Sequence, residues 1–266
     1  MVQVCRFLLT AGQIHDKDGQ CRPACGVPGW LHTSVLGITD EGILRSAGLF
    51  FDIKKVFTII KVMNQISENP FPYSSDNKRY LTFSWYLKNR YGKKAAKIPL
   101  NAGFTCPNRD GFKSFGGCSF CSSMGSGDTI LNFRDTLESQ YEANLARARH
   151  KWPGCLGMAY FQSYTNTYAP LEVLKTVYEP FYARKDTAAV CIATRADCLD
   201  EEKIAWFAAQ PKETWMEIGL QTVNEATAAA MNRAHTTEEV RTALQLCRKY
   251  GIKTCLPIIN GLPGDT

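Results

Sequence analysis

Between residues 97 and 259 the apolar positions alternate between two periods. Short apolar runs at Lys97–Ala102, Gly157–Phe161, Ala188–Thr194, Trp215–Leu220 and Lys253–Ile259 predict buried strands. Between them, Thr136–Lys151, Leu171–Tyr182, Glu201–Ala209 and Thr237–Tyr250 return an apolar residue every three or four positions and predict helices. The last of these opens on a Thr-x-Glu start and is followed by Gly251, a residue that readily adopts the left-handed turn ending a helix; the second carries Pro180 near its end. Before the first strand, Arg79–Tyr91 mixes aromatic and basic residues at helical spacing and predicts a lead-in helix. Strands and helices in strict alternation, with short connections, imply a parallel sheet with helices outside it. Two architectures satisfy that pattern, an open doubly wound sheet and a β/α barrel.

Residues 1–62 lack this regularity. They hold Cys5, Cys21 and Cys25, a Gly/Pro-rich stretch at Cys25–Trp30 and an apolar patch at Val56–Ile60. Cys21 and Cys25 have the look of half a metal site, but no second pair follows and His15 and His32 are isolated, so incidental thiols are the expectation. The chain accordingly divides into an unassigned extension, 1–62, a lead-in helix region, 63–95, and a core, 96–266.

At 266 residues, 45% hydrophobic and 21% charged, the chain can bury a substantial core, which excludes a disordered or fibrous protein. Charged residues interrupt every apolar run well short of the roughly 18 residues of a membrane span, and Arg6 precedes only a short apolar patch with no cleavage site. A cytoplasmic protein without a membrane partner is expected. A net charge of +6 favours polyanions only slightly.

Eleven cysteines are many for a reducing compartment, and their spacing carries the candidate chemistry. Cys106, Cys118 and Cys121 stand in a C-x11-C-x2-C arrangement after the first core strand, with Gly111, Gly116 and Gly117 to let the loop curl. Three thiolates suit a [4Fe-4S] cluster that leaves one iron open. Zinc would want a fourth Cys or His, and three ordinary buried thiols is the other alternative. Cys155, Cys191, Cys198, Cys247 and Cys255 have no paired spacing and read as packing, with Cys198 placed to face the strand ends.

Between Asn69 and Asp265 the ordered blocks NPFPYSSDNKRY, Gly103-Phe104-Thr105-Cys106-Pro107-Asn108-Arg109-Asp110-Gly111, GGCSFC, YFQSYTNTYAP, ATRADCL, EIGLQT, Met231-Asn232-Arg233-Ala234-His235 and INGLP resemble the radical S-adenosylmethionine (SAM) proteins. Within them the resemblance is to the bacterial YhcC/YtqA type, relatives of the catalytic subunit of Elongator. It implies an α/β fold, a partial (β/α)6 TIM-like radical SAM barrel truncated after about the fifth strand, with the site at the C-terminal mouth of the strands. It also implies that Cys106, Cys118 and Cys121 hold a [4Fe-4S] cluster whose open iron chelates SAM. Reductive cleavage of SAM then yields a 5′-deoxyadenosyl radical that abstracts hydrogen from a substrate. Carried onto this chain, the SAM-contacting positions are Gln162, Tyr164 and Thr165 after the second strand and Thr194 and Arg195 after the third. Glu217, Gly219 and Gln221 follow on and after the fourth, with Ile259 and Gly261 after the fifth. His235 is a candidate substrate contact. A reductant such as flavodoxin or ferredoxin and a tRNA base as substrate complete the expectation.

Two features depart from that family. The chain ends at GLPGDT, which would expose the edge of the last strand, and residues 1–62 have no counterpart, as mistranslated upstream sequence would not. The rival functions are a zinc- or cluster-stabilised RNA-binding module without catalysis, for which the aromatic and basic stretch Trp85–Lys94 would be a surface, and an inactive fragment.

Overall fold

The computed structural model describes residues 71, 73–128, 130 and 132–265 in full, and residues 2–7, 37–38, 43–46 and 49–52 as strands. Cys21, Cys25, Val56–Ile60 and the boundary at Met63 lie outside the described residues. In chain order the elements begin with β1, Val2–Phe7, and three short strands, β2 (Gly37–Ile38), β3 (Ile43–Ser46) and β4 (Leu49–Asp52). The lead-in helix α1, Phe83–Tyr91, and strand β5, Ala95–Leu100, come next. Then follow α2 (Leu137–Lys151), β6 (Leu156–Phe161), α3 (Leu171–Ala183), β7 (Thr187–Thr194), α4 (Glu201–Ala208) and β8 (Glu213–Ile218). The chain continues through α5 (Glu225–Ala230), α6 (Thr237–Lys249) and β9 (Lys253–Ile259).

Two compact units result, Met1–Leu9 with Leu87–Thr266, and Thr10–Tyr86. In the second, β2, β3 and β4 form an antiparallel meander, and the Asp76 carboxylate accepts from Ser74 Oγ and Thr82 Oγ1 at 2.7 and 2.6 Å, fixing the turn ahead of α1.

The first unit is a six-stranded sheet in the order β1-β9-β8-β7-β6-β5, parallel throughout. Alternation along each strand divides its two faces. Ile98, Leu100, Phe161, Val190, Ile192, Met216 and Ile218 form one core with Tyr141 and Leu145 of α2, Leu174, Tyr178 and Phe181 of α3, Phe207 of α4 and Val240 of α6. The edge-to-face rings of Phe161, Tyr178 and Phe207 fill its centre. On the other face Lys97 of β5 pairs with Glu217 of β8. Three strand spacings of about 4.8 Å each would separate those backbones in a flat sheet. Their direct ion pair therefore marks an inward curl, and the sheet is the partial barrel expected, with the five expected core strands in place.

Three details differ from expectation. The outer edge of β9, expected to stand open, carries β1 in parallel register from Val2 opposite Thr254 to Phe7 opposite Ile259. An unpaired row of strand N–H and C=O groups accepts any extended segment within reach, which a pattern of hydrophobicity does not reveal. The fourth core strand runs Glu213–Ile218, two residues ahead of its expected span at both ends. Helix α5 has too few residues to show a period; its signal is Asn224, whose side chain accepts from the backbone N–H groups of Ala226 and Thr227. At the other ends, α1 starts at Phe83 rather than Arg79, β5 lies two residues ahead of its expected span, and the rest fall within a residue. Thr236 and Glu239 form a complete capping box on α6, and Gly251 follows it at φ +72°.

Candidate functional site

A cavity of about 450 Å³ opens at the C-terminal ends of the strands. Its walls include Cys106, Cys118 and Cys121, Gln162, Tyr164 and Thr165 after β6, Thr194 and Arg195 at the end of β7, Glu217, Gly219 and Gln221 at β8, and Ile259 at the end of β9. Every sequence-predicted site residue is thus gathered around one space except Gly261, which lies outside it. Tyr160, Arg233 and His235 are also part of the lining.

The cysteine loop is fixed by its own polar groups. The Cys106 carbonyl accepts from the N–H groups of Arg109 and Asp110, and the Cys118 carbonyl accepts from Cys121 N–H at 2.9 Å. Gly117 takes φ +79°, and a Cβ there would come within 2.8 Å of the Arg109 guanidinium, which donates to the carbonyls of Cys121 and Ser122. The three thiols are free and half-buried. Burial pushes the Cys118 thiol up to about 11, against the opposing pull of Arg195 and of the Asn108 amide.

The Met231–His235 block, which the sequence marked only for His235, holds this loop to the strand ends. Asn232, in the left-handed region at φ +53°, donates from Nδ2 to the carbonyls of Phe115 and Gly117 at 3.2 and 2.8 Å and accepts from Ser114 Oγ. Arg233, 1% exposed, donates to the carbonyls of Leu220, Thr222 and His235 and pairs with Glu225. The signal for this role was the exact block of residues itself; nothing in the local period singles out Asn232 or Arg233.

Several candidate ligand contacts have work within the protein. Arg195 donates from Nε and Nη2 to Asp197 at 2.9 and 2.8 Å, from Nη1 to Arg233 O at 2.8 Å and from Nη2 to Ala234 O at 3.0 Å. That occupies all but one N–H of a guanidinium. Burial opposes ionisation of Asp197, yet the Arg195 bonds hold its carboxyl below the usual range. Tyr164 donates to Ser123 O at 2.7 Å and lays its ring where a Gly125 Cβ would stand, so it braces the end of the cysteine loop. Thr194 Oγ1 is bonded to Thr167 Oγ1 at 2.6 Å. Gln221, at φ +59°, bridges to β9 through its backbone, and its amide folds over Gly219, filling the space beside that backbone.

Other groups keep capacity for a ligand. The Gln162 amide makes no hydrogen bond to the described residues. Glu217 is 3% exposed, with one oxygen on Lys97 and Oε2 unpartnered. His235 bonds the Gly219 carbonyl at 2.9 Å through Nε2; a carbonyl only accepts, so Nε2 carries the proton and Nδ1 is a buried acceptor without a partner. Burial, then the Arg195 charge, lowers its basicity and keeps it neutral.

Beneath the mouth, Lys97 lies 4.2 Å from the Tyr160 ring, with Cys191 and Cys255 close by. Sequence reading missed this layer, whose only signal was a lysine inside an apolar strand. Cys155 and Cys247 pack in the outer core as expected. Cys198 is buried beside Asp197 and does not line the cavity.

Residues 104–266 match the family model described as the Radical SAM superfamily. The chain belongs to the radical SAM superfamily. Among its relatives are YtqA of Bacillus subtilis, an uncharacterized protein 44% identical over 200 residues, and YhcC of Escherichia coli, 35% identical over 187. These matches cover 74% and 69% of this radical SAM chain, and 62% and 59% of the two relatives, so the chain spans about three fifths of their length. Among solved structures, the Elp3 of Methanocaldococcus infernus with an N-terminal deletion aligns with 65% of this chain and 39% of its own, at 18% identity and a TM-score of 0.44. The matched radical SAM region begins at Phe104, two residues before the first cavity cysteine, and contains all three. No helix of the described residues is long and apolar enough to cross a membrane.

Proposed function

We propose that this chain is the catalytic core of a radical SAM enzyme that holds a [4Fe-4S] cluster on Cys106, Cys118 and Cys121 and binds SAM in the adjoining cavity. The observation that carries the reading is the meeting of three free thiols with the ends of β6, β7, β8 and β9 around one space. The chemistry of the donor set supports the group, although among the described residues no three His, Cys, Asp or Glu side chains already stand placed to hold a single metal ion. Three soft thiolates suit iron, and the glycine turns bend the loop around a bulky ligand. Bound there, cluster and SAM supply reductive cleavage of a carbon–sulfur bond and a deoxyadenosyl radical able to take hydrogen from a substrate.

The chain's own residues have three tasks. The Asn232 and Arg109 bonds hold the cysteine loop in place. Glu217, whose second oxygen lacks a partner, accepts from ligand hydroxyls, and the Gln162 amide and His235 Nδ1 offer further polar contacts. The curled sheet and its packed outer helices shield part of the inner wall, where Tyr160 is 8% exposed and Glu217 3%. Arg195 acts here mainly through Asp197 and the Met231–His235 block, with one N–H left for a ligand carboxylate.

A flavodoxin or ferredoxin as reductant is proposed from the radical SAM family, a tRNA base as substrate from the resemblance to relatives of the Elongator catalytic subunit, and a cytoplasmic setting from the sequence pattern. The aromatic and basic stretch Trp85–Lys94 gives little support to a separate RNA-binding surface, since Arg90 pairs with Glu213 and Lys94 lies over the Trp152 ring.

Incubation of the anaerobically reconstituted, dithionite-reduced protein with SAM tests the reading. Slow release of 5′-deoxyadenosine and methionine in equal amounts is expected. A fully loaded, reduced chain, or its full-length relative, that releases neither contradicts the enzyme.

A further inference from the structure

The amide of Asn108 lies between the first two cavity cysteines and is 0% exposed. Its Nδ2 donates to the Asn232 carbonyl at 2.5 Å and to Cys118 Sγ at 3.4 Å. Both partners are acceptors, so the NH₂ end must face them, and this orientation leaves Asn108 Oδ1 buried without a partner. A buried amide that forgoes one of its own bonds is oriented by what its N–H groups meet. The Asn108 backbone is held as firmly, since its carbonyl accepts from Gly117 N–H at 2.8 Å. Asn232 in turn grips Gly117 and Phe115 through its side chain. The N–H is therefore aimed at one sulfur by a network that closes on itself.

We infer that Asn108 is a positioning residue that sets the reduction potential of the cluster through its N–H···S bond to Cys118. This rests on the cluster reading above. Adding an electron to an iron–sulfur cluster places more negative charge on its sulfurs, and an N–H dipole pointing at one of them stabilises the reduced state more than the oxidised state. Asn108 thus makes the cluster easier to reduce. The loop needs this because Cys118 is more than half shielded from water, where a thiolate otherwise lacks donors.

Asn108→Leu keeps the branched shape of the side chain, at a larger volume, and removes the donor. In an EPR-monitored redox titration of the reconstituted chain, the midpoint potential of the variant shifts to more negative values while iron content per chain matches the unaltered protein. An unchanged potential in a fully loaded variant overturns the inference. Should the variant fail to hold iron, pulsed EPR of the unaltered, reduced protein labelled with ¹⁵N-asparagine decides the matter. A resolved nitrogen coupling supports the bond, and no coupling overturns it. Failure of the unaltered chain to bind any iron defeats the underlying cluster reading as well, and iron analysis separates that result from the others.

Discussion

Glu217 and Arg195 line the same cavity, and their surroundings assign them different tests. Glu217→Gln removes the charge from the acceptor proposed for ligand hydroxyls, and the loss of a charge-assisted hydrogen bond costs about 1.5–3 kcal/mol, or roughly a 10- to 150-fold weaker affinity. Isothermal titration with SAM is expected to show that loss at unchanged iron content, and equal affinities contradict the assignment. Arg195→Ala instead leaves the Asp197 carboxylate, with a side chain 4% exposed, without its buried partner. Breaking a buried pair costs about 3–5 kcal/mol. A marked fall in Tm is expected, and an unshifted Tm contradicts the clamp. The three cysteines were legible from their spacing, and the strand-end residues from the motif blocks that carry the family resemblance. The contacts that occupy Arg195, Tyr164 and Thr194 were not, since they join segments far apart in the chain. Arg195 meets carbonyls 38 and 39 residues away.

At the scale of elements, the alternating periods placed five strands and four long helices to within a residue or two at most ends. Periodicity reports burial on one face, and each of these elements buries one. It fails for α5, which is a single capped turn and a half, and for β1, whose place is set by backbone pairing with β9. That pairing bears on the N-terminal segment. A chain beginning at Met63 lacks β1 and leaves the outer row of β9 without its six-residue partner. Such a chain is expected to melt at lower temperature and to self-associate more by light scattering, because an open strand edge invites pairing with another copy. Equal Tm and equal monodispersity would show that β1 adds nothing to the sheet.

For the whole molecule, the curl of the sheet turns an alternation of residues into a site. One face meets the helices, and the other encloses Lys97, Tyr160 and Glu217 below a mouth rimmed by the cysteine loop. The Met231–His235 block ties that rim to the ends of β7 and β8, so the loop and the strand ends form one structure. On the proposed function, this structure is built around an iron–sulfur cluster on three thiols. Iron and sulfide analysis of the anaerobically reconstituted chain, beside a variant with Cys106, Cys118 and Cys121 all changed to Ala, tests it most directly. About four irons and four sulfides per chain are expected, with a broad visible absorbance that dithionite bleaches, all lost in the variant. Stoichiometric zinc in place of iron, or iron retained by the variant, would contradict it.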